Sequence, residues 1–277
     1  VPHLLDGLRA RGLQPEQLRY IIVTHIHLDH SGGTAELAKH CPNAMVLCHP
    51  RAARHIIDPE RLVKSAKLVY GEQEFLALYG EIDPVDEKRV RIVEDNEVIE
   101  LGSRKLTFMD SPGHARHHHA VHDSRTNSVF AGDVFGTHYR QLQGGTSPHF
   151  TYVCAPPEFD PPAAKASIQR VLDTGADRVF VTHYGASTRL KEGAEILLRT
   201  LDDFDELATS VAASDLADDA LLERCLSGTW TILRRELETA GLNADDPDIY
   251  DWATKEHNVT AQGIEVLAKR RRKEPAA

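Results

Sequence analysis

The sequence predicts an α/β layered domain followed by a helical extension, and three observations predict it. A β-branched apolar run, a helical stretch and a second apolar run follow one another across residues 20–48. Short apolar segments separated by turn residues crowd residues 89–133. From residue 186 onward the apolar spacing is helical throughout.

Taken in order, residues 2–12 read as a short helix with Pro2 at its start and Gly12 at its end. Residues 20–24, Tyr-Ile-Ile-Val-Thr, are a buried strand. Residues 33–40 are helical and residues 44–48 form the next strand. Residues 50–80 are mostly helical, with breaks near Pro59 and Gly71. Strands are then expected at residues 89–93, 98–101, 105–110, 120–123 and 128–131. A loop rich in Gly and Pro spans residues 136–162, followed by a helix at 163–174 and a last apolar strand at 178–182. Helices at residues 192–210, 216–240 and 259–270 complete the chain. The expected domains are residues 1–185, carrying the chemistry, and residues 186–277, a helical extension packed on them. The sequence shows no internal repeat and no low-complexity segment.

Of the 277 residues, 41% are hydrophobic and 27% charged, the balance of a globular protein with a real core. No apolar run approaches the roughly 20 residues of a membrane-spanning helix, and no signal-peptide pattern is present. The formal net charge of −10 disfavours a nucleic-acid partner. The one basic run, residues 269–273, reads as a solvated, frayed tail. Cys41, Cys48, Cys154 and Cys225 have no CxxC spacing and imply no disulfide framework, so a reducing cytoplasm is expected.

Sixteen histidines are out of line with this ordinary composition, and they are internal and irregularly spaced. The strand at residues 20–24 runs directly into His25-Ile26-His27-Leu28-Asp29-His30. Residues two apart in an extended segment point to one side, so His25 and His27 can converge on one ion. Asp29 and His30 fall where the chain turns into a helix and can face a second position. Further donors recur at strand ends: His114 in Ser-Pro-Gly-His, Asp133 in Ala-Gly-Asp and His183 in Thr-His-Tyr-Gly. Ligands in loops along one edge of a sheet are the layout of a site held by a rigid scaffold. His117, His118 and His119 lead into the next strand, with at most a supporting role for His118, and His49 reads as a packing residue.

The order HxHxDH, a distant His after Pro-Gly, then Gly-Asp, then Thr-His-x-Gly resembles the metallo-β-lactamase fold superfamily, and within it the glyoxalase II-like metallohydrolases. The resemblance covers roughly residues 20–185 and implies an αβ/βα sandwich. It implies that His25, His27 and His114 bind a first metal, that Asp29, His30 and His183 bind a second, and that Asp133 bridges the two. Nitrogen and oxygen donors suit two zinc ions per chain, with iron or manganese as other occupants. None of the cysteines falls on a metal position, which sets the chain apart from class B β-lactamases that use a Cys ligand.

Two bridged metals acidify the water between them, and the resulting hydroxide is the expected nucleophile, oriented by Asp29 as proton shuttle. No GxSxG elbow supports a serine mechanism. The substrate expected is a small molecule with an ester-like acyl bond, most plausibly a thioester. The alternatives are a lactone, a phosphodiester, or the chemistry of a mono-iron sulfur dioxygenase. The loop at residues 136–162 and the C-terminal helices are the expected pocket walls, with Tyr139 and Tyr184 near enough to ligands to bind substrate oxygen.

One departure stands out. Only some twenty residues precede the first motif, and the first is Val1, where relatives usually carry an N-terminal β-hairpin region. The expectation is an N-terminally truncated sheet with an unpaired edge, and poor stability for the chain alone. A cooperative melt at high temperature with metal binding intact would contradict it.

Overall fold

The computed structural model describes residues 1–273. They fall into two compact units: Val1–Glu97 with His117–His119, and Val98–Arg116 with the described chain from Ala120 on.

The first unit opens with α1 (Pro2–Arg9), whose proline occupies the first turn. Strand β1 (Tyr20–Val23) leads to two short helices, α2 (Leu28–Ser31) and α3 (Thr34–His40), and then to β2 (Met45–Cys48). Helices α4 (Pro50–Ile57), α5 (Glu60–Tyr70) and α6 (Glu72–Tyr79) return the chain to β3 (Val90–Ile92). The three strands are ordered β1-β2-β3 and run parallel, with Tyr20 opposite Met45 and Val46 opposite Val90. Parallel neighbours need long crossovers, and the intervening helices supply them. The expected breaks near Pro59 and Gly71 are where α4, α5 and α6 divide. Ile21, Val23, Val46 and Cys48 are buried against Ala35, Ala52 and Ile56. Arg89 donates to the carbonyls of Ala38, Cys41 and Ala44 at 2.6–2.8 Å, tying the end of α3 to the turn that leads into β2.

The second unit contains β4 (Val98–Leu101), β5 (Arg104–Asp110), β6 (His119–Asp123, from Ala120), β7 (Ser128–Gly132), β8 (Arg178–Val181) and β9 (Gly185–Ser187), in that order across one sheet. Neighbours β7 and β8 are parallel, because α7 (Pro161–Asp173) carries the chain between them. Helices α8 (Leu190–Ala212), α9 (Leu221–Thr239), α10 (Pro247–Ala253) and α11 (His257–Lys273) follow. Val129, Ala131, Val179 and Val181 alternate into a core shared with Ile168 of α7 and Leu197, Leu201 and Phe204 of α8. This alternation delivers the loops after β5, β7 and β8 at strand ends.

Three features differ from the sequence reading. Strand β9 extends past residue 185 into the segment expected to be helical. It is a three-residue edge, Gly-Ala-Ser, whose pairing with β8 no local pattern announces. Helix α10 lies within the stretch read as helical, but its seven residues are too few to show a period of their own and no separate helix is expected there. The basic run is not a frayed tail. Arg270 donates to Phe159 O, Arg271 to Asp205 and Thr209, and Arg272 to the carbonyls of Ala212 and Ser214 and to Asp218. Arg272 closes the C-terminal end of α8, where carbonyls lack helical donors. The last four residues of the expected extension lie outside the described ones. Among the described residues no helix is long and apolar enough to cross a membrane, and the four cysteines are free and buried.

Two outcomes follow from this packing. Arg272→Ala should lower the free energy of unfolding by about 1–3 kcal/mol in urea titration with the slope unchanged; an unchanged midpoint would show the end of α8 to be satisfied without it. His149 in the loop at residues 136–162 is buried, with Nε2 3.0 Å from Thr151 Oγ1. Burial first, and His138 in addition, push its pKa down to about 4 against a pull from Glu236. Below the ordinary value of 6.5 the unfolded chain takes a proton that the folded imidazole refuses, so stability is lost as pH falls from 6.5 to 4. His149→Gln should flatten that part of the stability profile, and an unaltered slope would rule the residue out.

Candidate metal centre

In the first unit the donors follow directly from the strand. Ile26 and Leu28 are buried at 4% and 8% exposure, which anchors the chain after β1 and turns the alternate residues, His25 and His27, to the other side. His25 Nε2 and His27 Nδ1 come within 3.0 Å of each other. Two nitrogens on a tetrahedral ion, each about 2.0–2.1 Å from it, are about 3.3 Å apart, so the pair has a ligand-like spacing. Thr24 Oγ1, 3.2 Å from His25 Nδ1, holds that ring by its far nitrogen. Ser31 Oγ donates to the carbonyls of Ile26 and His27, both at 3.1 Å, and ties α2 back onto the segment.

Helix α2 then places Asp29 in its first turn and His30 in its last. His30 Nε2 lies 3.1 Å from Asp29 Oδ2, and the His30 ring is 4.0 Å from that of His25. His117 and His118 join this group, which the sequence reading largely discounted. The His118 ring is buried 4.9 Å from His25, and the Ile26 amide donates to His117 Nδ1 at 3.4 Å. The signal was present in the run of three histidines, but spacing alone does not say which way such a run turns. His119 is buried 6.4 Å from His49, and burial followed by the charge of His49 pushes its pKa down to about 3. His49 itself accepts from the Arg51 amide and caps α4.

In the second unit the donors sit on loops shaped by two glycines. Gly113 has φ +127°, and a Cβ there would meet the backbone of Ala164 at 2.3 Å. Only glycine allows α7 this close, and the next residue is His114. His114 Nδ1 lies 3.0 Å from Val153 O. A carbonyl only accepts, so Nδ1 carries the proton and Nε2 keeps its lone pair for a ligand. Gly132, with φ +54°, ends β7 at a shift in its register with β8 and re-aims the following residue, Asp133. Asp133 is buried, and its Oδ2 lies 3.5 Å from His114 Nε2 and 3.6 Å from His183 Nε2. One carboxylate oxygen thus lies near two imidazole nitrogens. Within the first unit His25, His27, Asp29 and His30 lie close together, and within the second His114, Asp133 and His183 do.

The two tyrosines differ. Tyr139 is buried and its hydroxyl donates to Glu256 at 2.6 Å. Burial first, then Glu256, pushes its pKa well above the ordinary value. Tyr184 follows His183 and is 63% exposed, with its ring 5.9 Å from that of Tyr139.

Comparison with known proteins bears on this geometry. The family model of the Metallo-beta-lactamase superfamily matches residues 2–183. A metallo-beta-lactamase fold-containing protein from Sulfurisphaera tokodaii, ST1585, is 32% identical over 137 residues, 48% of this chain and 51% of the relative. The acyl-coenzyme A thioesterase MBLAC2 of Gallus gallus is 33% identical over 144 residues, 47% of this chain and 49% of the relative. The chain thus spans about half the length of the curated relatives it matches. The crystal structure of ST1585 superposes with a TM-score of 0.60 at 22% identity, covering 89% of this chain and 80% of that one. A Thermus thermophilus family protein, TTHA1429, gives 0.59 at 18% identity, with 97% and 79% covered. These structural likenesses establish the metallo-beta-lactamase fold.

Gly113→Ala should cost about 1–3 kcal/mol of stability and weaken metal uptake together, because it displaces the His114 loop from α7. Calorimetry and metal titration of that variant showing neither change would mean the close approach does not position His114.

Proposed function

We propose, from the premise that the chain belongs to the metallo-beta-lactamase superfamily, that it is a dinuclear metal-dependent hydrolase of thioesters with small-molecule substrates. The observation that carries the reading is Asp133 Oδ2 flanked by His114 Nε2 and His183 Nε2 at 3.5 and 3.6 Å. The close pair His25 and His27 supports it independently. In this reading His25, His27 and His114 hold one ion, Asp29, His30 and His183 hold the other, and Asp133 is shared. The donors are imidazole and carboxylate throughout, a set that suits zinc and admits iron or manganese. Relatives named as acyl-coenzyme A thioesterases, which match under half of the chain, support the thioester.

Bound metals would supply an acidified water and polarise the acyl carbonyl. The protein's own contribution is positional and protonic. Val153 O keeps the proton of the neutral His114 ring on Nδ1, which leaves its Nε2 as the lone pair. Asp29, whose side chain is 47% exposed and paired with His30, is the carboxylate able to exchange protons with solvent. It takes the proton of the attacking water at a carboxylate oxygen and returns it to sulfur. The water oxygen bonds to the acyl carbon, the C–S bond breaks, and the products are a carboxylic acid and a thiol.

Metal quantification on the purified protein, followed by a panel of thioesters, lactones and phosphodiesters, tests the reading. Two metal ions per chain and preference for thioesters are expected. Asp133→Ala should lose at least one ion and reduce activity by about 100-fold or more. Full metal content and activity in that variant would remove Asp133 from the centre. One iron per chain with oxygen uptake would replace hydrolysis by a redox function.

A further inference from the structure

An aromatic ridge in the second unit leads away from His183, and part of it lies on the short helix α10. Tyr184 is the exposed end of the ridge. Its ring is 5.9 Å from Tyr139, which is in turn 5.3 Å from Trp252 on α10. Trp252 is partly buried against Tyr139, Leu142 and Ala253, and the ammonium of Lys255 sits 4.3 Å over its ring. Tyr139 is buried with its hydroxyl turned to Glu256, so it backs the ridge from beneath and leaves Tyr184 and Trp252 as the rings with accessible surface.

We propose that this ridge is the wall that receives the acyl group of the substrate, and that Trp252 is a specificity-determining residue favouring apolar acyl chains over acetyl. The inference rests on the thioester reading above and assigns one half of that substrate. Two halves could compete for an aromatic wall, the acyl chain and a nucleotide-bearing thiol, and charge separates them. The segment around Trp252 carries Asp246, Asp248, Asp251 and Glu256 against Lys255, which is itself paired with Asp251 at 3.3 Å, and the exposed Arg140 beside Tyr139 leaves the balance acidic. Asp245 is paired with Arg234. A phosphate-rich leaving group meets net repulsion here, within a screening length of about 8–10 Å. An uncharged acyl chain meets none, and gains by covering ring surface that water now touches.

The test uses the full chain, metal-loaded, with acetyl, hexanoyl and phenylacetyl thioesters of one small neutral thiol, N-acetylcysteamine. Trp252→Ala should lower the hexanoyl-to-acetyl ratio of kcat/KM by about tenfold, mainly through KM, and Trp252→Phe should restore most of it. Tyr184→Ser, at an exposed position with little bearing on folding, should shift the ratio the same way. Ratios unchanged within about twofold in both variants would overturn the proposal. If the unaltered protein cleaves none of the thioesters, the thioester reading has failed and the wall is judged by binding. Trp252 is then the one indole left in Trp230→Phe protein, since the chain has two tryptophans. Saturable quenching of its fluorescence by hexanoate, lost on Tyr184→Ser, would uphold the apolar wall; no quenching would overturn it.

Discussion

A buried carboxylate is costly unless cations or donors surround it, and Asp133 is the carboxylate on which the proposed function turns. It is held away from water with imidazole nitrogens of His114 and His183 on either side of a single oxygen. Much of the second unit can be understood as what that placement requires. The β7 strand buries Val129 and Ala131, then needs a left-handed residue to turn the carboxylate out of line, and Gly132 supplies it. His114 needs a loop tight against α7, and Gly113 permits that approach. A carbonyl of the loop at residues 136–162, from Val153, then decides which nitrogen of His114 faces Asp133.

The first unit solves a related problem by a simpler device. An extended segment has a period of two, so burying Ile26 and Leu28 aims His25 and His27 together without any special backbone. The rings of His117 and His118 then pack around His25, and the His119 amide donates to Thr24 O. Positioning here depends on hydrophobic anchoring of alternate residues. In the second unit it depends on glycine geometry and on hydrogen bonds from outside the ligand's own loop.

That difference explains what could be read in the sequence. The candidate donors stand out in the sequence because they follow strands whose apolar pattern is strong, and strand ends are where side chains leave a core. The helices of residues 50–80 were legible because Pro59 and Gly71 punctuate them. Strand β9 and helix α10 were not, being too short to carry a period and made by pairing and packing. The basic run at residues 269–273 reads as a solvated tail in isolation, and only the end of α8 makes its guanidinium groups structural. Likewise nothing near Tyr139 in sequence reveals that its hydroxyl belongs to Glu256, 117 residues away.

In the proposed centre one oxygen serves two metal ions, and anomalous X-ray diffraction from crystals of the metal-loaded protein tests that most directly. Two anomalous peaks about 3.5–4 Å apart, both within bonding distance of the Asp133 carboxylate, are the predicted result. A single peak, or a pair of peaks with Asp133 bound to neither, would contradict it.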